Sequence, residues 1–500
     1  MIRFSDIFNN ILKYDKTASY IKSSDLHNDP NINDIYIDSR DVKAGSVFMC
    51  ISGNTSDGHL YIDEAITNGA LAIITERYVD VKIPYILVEN TRNIIGIISS
   101  IVYGYPSTRL LMCGITGTNG KSTTAYLLKH ILKSEGLKTG ILGTIIYDDG
   151  DFAVEASRTT PEASYIQRYL FRMLQNGCRA CVMEVSSHGL SLGRLNGCEY
   201  DGSIFTNLSE EHLDFHGDIQ TYFQVKQTLF QSYMKQSWVG VANGDDFYGL
   251  KLYNKYQRNI SLYGVSSDKY KYGAYEIYYE KNSTHFKVNC SGKIYEAIIP
   301  YLGKYNVYNA LSAMSLANAL GIDIESSLSS LRYAPRVPGR FESYYLNNGV
   351  RVVIDFAHTP FALKNLLASI RELTGGRIIS VFGHGGDRFA ENRPQLGKIA
   401  ASLADKIIIT SDNPRSEDPS SIADQIYKGS VVSNPVMEIA IILDRKEAVY
   451  CALNEAKDGD IVVISGKGPE REIVYENHRI PYNDLDAIVS WSQKTGVKIL

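Results

Sequence analysis

An α/β chain of three domains is what this sequence predicts, on three observations. At 500 residues the chain exceeds what one ordinary hydrophobic core organises. From Leu110 onward, apolar segments alternate with polar loops and helical stretches, the order of βαβ units on a parallel sheet. A proline-bearing break, YAPRVPGR at 333 to 340, separates two such alternations. The expected domains are 1–105, 106–335 and 336–500.

Residues 1–105 carry short strands, DIYIDSR and GSVFMCI, with helical stretches between them. The run IIGIISSIVYGY from Ile94 is too short and too interrupted to span a bilayer, and reads as a buried helix. The N-terminus MIRFSDIFNNILKYDK lacks the apolar core and cleavage site of a signal peptide. YGYPSTR, 103 to 109, reads as a linker. In the central domain the strand LLMC leads into GITGTNGKST and the helix TAYLLKHILK, and ACVMEVSS and DGSIFTNLS read as further buried strands. Residues 270 to 299 alternate aromatic or apolar with polar side chains, which predicts an antiparallel subsheet. YNVYNALSAMSLANAL then returns to a helix.

The C-terminal third is a Rossmann-like alternation. RVVIDFAHTP, RIISVFGHGGDR, KIIITSDNPRSED and GDIVVISGKGPE each run an apolar strand into a polar loop. In open α/β sheets, ligands bind at those carboxyl ends.

Composition limits the partners. Hydrophobic residues make up 44% and charged residues 21%, as in a soluble globular protein. A formal net charge of −4 offers no bulk attraction to nucleic acid or anionic membranes, so any anionic ligand needs local donors. Seven cysteines without framework spacing predict free thiols in a reducing cytoplasm, with Cys178 and Cys181 as buried thiols entering a strand.

GITGTNGKST, 114 to 123, carries the first chemistry. Glycines let successive N–H groups turn inward around phosphate oxygens, aided by the helix N-terminus. Gly117, Thr118, Asn119, Gly120, Lys121, Ser122 and Thr123 form the candidate loop of a P-loop ATPase-like domain. Lys121 can reach the β/γ-phosphates and Ser122 can offer its hydroxyl to Mg²⁺. The glycine spacing is one residue tighter than a standard Walker A. A P-loop also needs a metal-holding acid, and Glu184 ends the strand ACVMEVSS at the sheet's carboxyl edge. His212 follows another strand in the acid-rich loop NLSEEHLDFHGD.

These segments together resemble the Mur ligase family. The resemblance rests on GTNGKST, EVSSHGLSLGR, TNLSEEHLDFHGDIQTYFQVKQTLF, LGKYNVYNALSA, VPGRFE, DFAHTP, VFGHGGDR, SDNPR and GKGPE, in the family's order. DSR (38 to 40) and TTPEA (159 to 163) point to its tripeptide-forming branch. The resemblance implies ATP-dependent ligation through an acyl phosphate on UDP-N-acetylmuramoyl-L-alanyl-D-glutamate, in peptidoglycan synthesis. It also implies roles residue by residue. Lys121, Glu184, His212 and Lys226 become catalytic residues. Ser122, Glu184, His212 and Lys226 become metal ligands, with Lys226 carrying a CO₂-derived carbamate. Asn309, Arg340, Asp355 and His358 join the phosphate loop around ATP, and Ser39, Thr159, Thr160, Ser186 and Arg194 take the UDP-sugar. Two positions depart from relatives: Arg158 stands where some carry Asn, and Leu192 where one offers Gln.

For the incoming amino acid, the resemblance implies Arg388, Asp412, Asn413, Pro414, Arg415, Gly466 and Glu470. An arginine fork can bind the distal carboxylate that meso-diaminopimelate has and lysine lacks. Arg415 completes the DNPR motif of the diaminopimelate-adding type. Pro469 and Phe389 depart from relatives that read GKGHE and GGDRD, so the loop beside Glu470 is expected to be where the site could differ. The alternatives are the same ligase adding L-lysine or a diaminopimelate analogue, a D-Ala-D-Ala-adding or folylpolyglutamate-type sister, or a nucleotide-gated scaffold. DSR, TTPEA and Arg415 argue against the sisters, and intact Lys121, Glu184, His212 and Lys226 against the scaffold. A cytoplasmic monomer using small-molecule substrates, without nucleic acid or membrane insertion, is the expectation.

Overall fold

The computed structural model describes residues 1–21, 29–53, 56–265 and 269–500. Three large sheets organise them. The N-terminal sheet has five strands in the order Ser19–Ile21, Tyr85–Leu87, Ala70–Thr75, Ser46–Met49, Asp34–Tyr36, all parallel except the first. The apolar run from Ile94 forms the helix Thr91–Val102, whose N-cap Asn90 accepts from the Asn93 N–H. Its Ile94, Ile95 and Ile98 bury against Ile7 and Ile11 of the helix Phe4–Ile11.

That helix also presses on the central domain. A Cβ on Gly96 would lie 2.0 Å from the Asn196 carbonyl oxygen, and one on Gly197 2.4 Å from the Gly96 carbonyl oxygen. Only two glycines let the backbones meet so closely. The stretch 103–109, expected as a linker, contains a short helix, Pro106–Arg109. Proline at its first turn favours that helix, and Ser107 Oγ donates to the Gly197 carbonyl at 3.4 Å.

The central sheet has eleven strands. Leu111–Thr116 lies between Ala180–Glu184 and Tyr200–Phe205, parallel to both. The expected subsheet is present as Tyr272–Tyr279, Thr284–Cys290 and Lys293–Ile299, paired antiparallel on one flank. Helices Lys121–Ser134 and Lys304–Ala319 cover one face, Ala163–Gln175 and Ile219–Ser232 the other. The parallel strands are buried on both sides, which explains their unbroken apolar sequences.

In the six-stranded C-terminal sheet, Arg351–Asp355, Ile461–Ser465, Ile378–Phe382 and Lys406–Ile409 are neighbours in that order and parallel. Their four polar loops therefore stand side by side at one edge. All seven cysteines are free, and no helix among the described residues is long and apolar enough to cross a membrane.

Candidate active site

The loop between the strand Leu111–Thr116 and the helix Lys121–Ser134 is built around two glycines at positive φ: Gly117 at 141° and Gly120 at 85°. A Cβ on Gly117 would stand 2.0 Å from Thr206 Oγ1, and one on Gly120 2.4 Å from Asn309 Oδ1. The loop closes only on glycine, and this closure brings Asn309 against it. Lys121 Nζ donates to the carbonyls of Gly117 at 3.0 Å and Thr118 at 2.7 Å, so the ammonium lies folded over the loop. Burial lowers its pKa, against the opposing pull of Glu211 and Glu184.

Glu184 is fully buried and accepts from Ser122 Oγ at 3.0 Å and from the N–H and hydroxyl of Thr144, each at 2.9 Å. Arg340 reaches across from the C-terminal domain, its Nη2 donating to Ser122 Oγ at 3.1 Å. A hydroxyl and a carboxylate in contact are hard oxygen donors that fit Mg²⁺, which ordinarily keeps further phosphate and water ligands. Among the described residues, no three His, Cys, Asp or Glu side chains gather into a complete cage.

Lys226, on the helix Ile219–Ser232, is almost wholly buried and donates to the Gly117 carbonyl at 2.9 Å. Its Nζ lies 4.5 Å from the Tyr222 ring centroid. Burial, then the nearby Lys121 charge, hold this amine well below the ordinary lysine range. His212 takes a left-handed backbone, φ 56°, and its ring meets His188 edge-on with centroids 4.8 Å apart. Burial pushes the His212 imidazole down to about 4, with Glu211 opposing and His188 adding to the shift.

Glu211 is the unexpected member. Its Oε1 lies 3.6 Å from His212 Nε2 and 3.5 Å from His358 Nε2. Burial alone would raise its pKa, yet His358 and His212 hold it well below the carboxylate range. His358 is raised correspondingly, the Glu211 carboxylate outweighing burial. Asp355 accepts from the Phe341 and Ala357 N–H groups, both at 2.8 Å, and so fixes the chain on either side of Arg340 and His358.

A cavity of about 510 Å³ opens between the N-terminal and central sheets, with Ser39, Arg158, Leu192 and Arg194 in its lining. Ser39 Oγ donates to Glu64 Oε2 at 2.6 Å. Thr160 is buried beneath, donating to the Glu184 carbonyl at 2.9 Å and accepting from Ser186 Oγ at 3.0 Å. The Thr159 and Thr144 hydroxyls are 3.1 Å apart, and with the Thr144 proton given to Glu184, Thr159 donates. This turn thus ties the cavity wall to the strand that ends in Glu184.

At the C-terminal sheet's edge, Asn413 Nδ2 donates to Glu470 Oε2 at 2.8 Å, and Lys467 Nζ donates to the same oxygen at 2.8 Å and to Asn413 Oδ1 at 2.9 Å. Arg415 has φ 53°, and its Nη1 donates to the Gly386 carbonyl at 2.6 Å. A Cβ on Gly385 would sit 2.7 Å from that Nη1. The Arg415 N–H donates to the Val474 carbonyl at 3.0 Å, docking the loop on the hairpin Glu472–Val474/Arg479–Pro481. The Cβ on Gly385 would also lie 3.4 Å from Arg388 Cγ, so both arginine side chains border Gly385; burial, then Arg388, lower the Arg415 pKa. Gly466 has φ 110°, and a Cβ there would lie 2.6 Å from Asp412 Oδ2. Asp412 is buried, and Lys467 and Arg445 outweigh that burial to hold its carboxyl low.

Comparison with known proteins agrees along the whole chain. Family models match as Mur ligase family, catalytic domain over residues 31–103, Mur ligase middle domain over 115–317, and Mur ligase, glutamate ligase domain over 339–468. A UDP-N-acetylmuramoyl-L-alanyl-D-glutamate--2,6-diaminopimelate ligase of Bacillus velezensis is 36% identical over 495 residues, covering 97% of this chain and 100% of the relative. The chain belongs to the Mur ligase family. A Clostridium botulinum relative with the same enzyme name is 38% identical over 488 residues, covering 96% of this chain and 98% of its own. A solved structure under that name superposes with a TM-score of 0.65 at 29% identity, covering 93% of this chain and 95% of that one.

For a Mur ligase, two residues beside the site escaped sequence reasoning. Glu211 was one of two adjacent glutamates in an acid-rich loop, with nothing local to separate it from Glu210. Lys467 lay inside GKGPE without a role, and the full burial that marks it out is seen only in the structure. The Pro469 departure leaves Glu470 joined to Asn413 and Lys467.

Proposed function

We propose that this Mur ligase joins meso-diaminopimelate to the glutamate carboxylate of UDP-N-acetylmuramoyl-L-alanyl-D-glutamate at the expense of ATP. The carrying observation is Arg415, held by the Gly386 carbonyl and the 472–481 hairpin beside Glu470, with Arg388 close by. A distal carboxylate suits paired guanidiniums, and its ammonium suits Glu470. A lysine substrate would bring a cation towards two arginines and leave Arg415 without its acceptor, so the same residues reject as well as attract. Relatives at 36% and 38% identity carry the diaminopimelate name.

In this reading, the phosphate loop and Lys121 hold the ATP phosphates, and Arg340 brings a further positive charge to Ser122. Ser122 and Glu184 would hold Mg²⁺, with His212 and carbamylated Lys226 as the further metal ligands the family resemblance implies. Bound Mg²⁺ would neutralise charge on the transferring phosphoryl group. Lys226 suits carbamylation because CO₂ adds to a neutral amine, the form its burial favours. The glutamate carboxylate takes the γ-phosphoryl group as an acyl phosphate, the bond to the β-phosphate breaks, and ADP leaves. The diaminopimelate amine then attacks that carbonyl, phosphate leaves, and the attacking nitrogen gives up its proton. The protein's contribution is positioning across the domains. A cytoplasmic monomer fits these substrates.

The deciding experiment is substrate-dependent phosphate release with meso-diaminopimelate, L-lysine and lanthionine compared at equal concentration. Highest kcat/KM with meso-diaminopimelate is expected. Preference for lysine, or for D-Ala-D-Ala in a parallel assay, overturns the assignment.

A further inference from the structure

Glu162 is a meeting point for arginines from three parts of the chain. Its Oε1 accepts from Arg158 Nη1 at 2.5 Å and from Arg194 Nη2 at 2.9 Å, while its Oε2 lies 4.0 Å from Arg92 Nη1. Arg92 belongs to the helix Thr91–Val102, Arg158 to the turn before Thr159, and Arg194 to the segment after the helix Ser187–Ser191. All four residues line the 510 Å³ cavity. Positive charge is therefore in local excess around Glu162, although the lining as a whole sets four arginines against the carboxylates of Asp38, Glu64 and Glu162. Elsewhere in the lining, Arg40 is paired with Asp38, with Nε at 2.9 Å and Nη2 at 2.6 Å, and Glu64 accepts from Ser39 Oγ while keeping its charge.

Ion pairing alone does not account for this cluster. Like-charged guanidiniums repel, and one carboxylate cannot satisfy three. Arg194 is anchored independently, Nη1 donating to the Thr160 carbonyl at 3.0 Å, yet its buried Nε has no acceptor among the described residues. Leu192, in the same wall, supplies no donor. The wall around Glu162 therefore presents guanidinium donors, the unpartnered Arg194 Nε among them, to an oxyanion such as a diphosphate.

We infer that Arg92 and Arg158, with Arg194, form a diphosphate-reading cluster, and that Glu162 is the positioning residue that gathers them. The inference rests on the UDP-linked substrate proposed above. Arg158 and Arg92 add charge to the Arg194 contact, and Glu162 holds the guanidiniums together before the ligand arrives, so less ordering remains on binding.

The two possible roles of Glu162 have opposite signs. As a bystander charge it would repel the diphosphate, and Glu162→Gln would tighten binding. As an organiser, its loss lets the arginines separate, and binding weakens. Calorimetry of the full chain with UDP and with UMP is the test, alongside KM for each of the three substrates. Arg158→Ala and Arg92→Ala are each expected to weaken UDP binding by about tenfold while UMP changes less, with KM for ATP held within about twofold. Arg158→Lys is expected to recover part of the loss, since it keeps the charge without the fork. Glu162→Gln is expected to weaken UDP binding by about fivefold or more. Unchanged UDP binding in Arg158→Ala, equal losses for UDP and UMP, or tighter binding in Glu162→Gln would overturn the inference. Lack of turnover by the unmodified enzyme with the UDP-linked dipeptide would instead sink the proposed reaction, leaving the UDP titrations to judge the cluster.

Discussion

Glu211 of the central domain and His358 of the C-terminal domain form an ion pair across the joint, His358 Nε2 standing 3.5 Å from Glu211 Oε1. The same carboxylate faces His212, so one side chain connects the proposed ATP side of the C-terminal domain to the proposed metal side of the central one. Replacing it with glutamine keeps the shape and removes the charge that raises the His358 pKa. Glu211→Gln is expected to lower kcat by about tenfold or more, because the two halves of the site are no longer drawn together. Its nucleotide affinity, measured by titration with ADP, should change much less. Equal loss in both would mean that the pair supports the phosphate loop itself.

Lys226→Ala removes a buried amine that touches the phosphate loop through the Gly117 carbonyl. Turnover should fall by about a hundredfold or more, and added bicarbonate should not restore it. The variant's melting temperature should change little, because relieving the desolvation of a buried amine offsets the small cavity. Near-normal phosphate release would remove the carbamate from the mechanism.

Lys121→Ala acts on the nucleotide. With Nζ gone from the carbonyls of Gly117 and Thr118, the loop retains its glycine geometry and loses its phosphate counter-charge. ATP-dependent ligation should be abolished within assay limits, and unchanged kinetics would count against this loop as the ATP site.

Arg415→Ala should raise KM for meso-diaminopimelate on the order of a hundredfold, the value of one charge-assisted pair. KM for ATP should stay within about twofold, since nothing near the phosphate loop changes. A parallel rise in both would make Arg415 a support for the loop fold and not a selector.

His384 gives a pH signature in the same domain. Burial, then the guanidinium of Arg393 at 3.4 Å, depress its imidazole to about 4 from 6.5. Folding therefore favours the neutral ring. Above pH 6.5 both states are neutral and the group contributes nothing; as pH falls from 6.5 towards 4 only the unfolded chain gains the proton, and stability is lost. Melting temperature should fall more steeply over that window in the unmodified chain than in His384→Gln.

What could be read from the sequence was local. Gly117 and Gly120 mark a loop because only glycine tolerates their backbone angles and the close approach of Thr206 and Asn309. The strand-to-loop steps at Glu184, Asp355 and Asn413 follow from unbroken apolar runs ending in polar residues. The stretch 103–109 was harder, since proline and glycine mark linkers and helix starts alike.

The sequence by itself therefore determined the three α/β units, the glycine loop before Lys121 and the residue types that surround it, because each depends on neighbours within one strand, turn or helix. Only the tertiary structure decided that Glu211 meets His358, that Lys467 joins Asn413 to Glu470, and that Glu162 gathers Arg92, Arg158 and Arg194. Apart from the local pairs Arg158–Glu162 and Lys467–Glu470, those partners come from separate elements, and in a linear chain every charged side chain has many possible partners of opposite sign. Packing the sheets and helices removes water from a few of these pairs and leaves the rest solvated, and that selective burial is what turns a charge into part of a site.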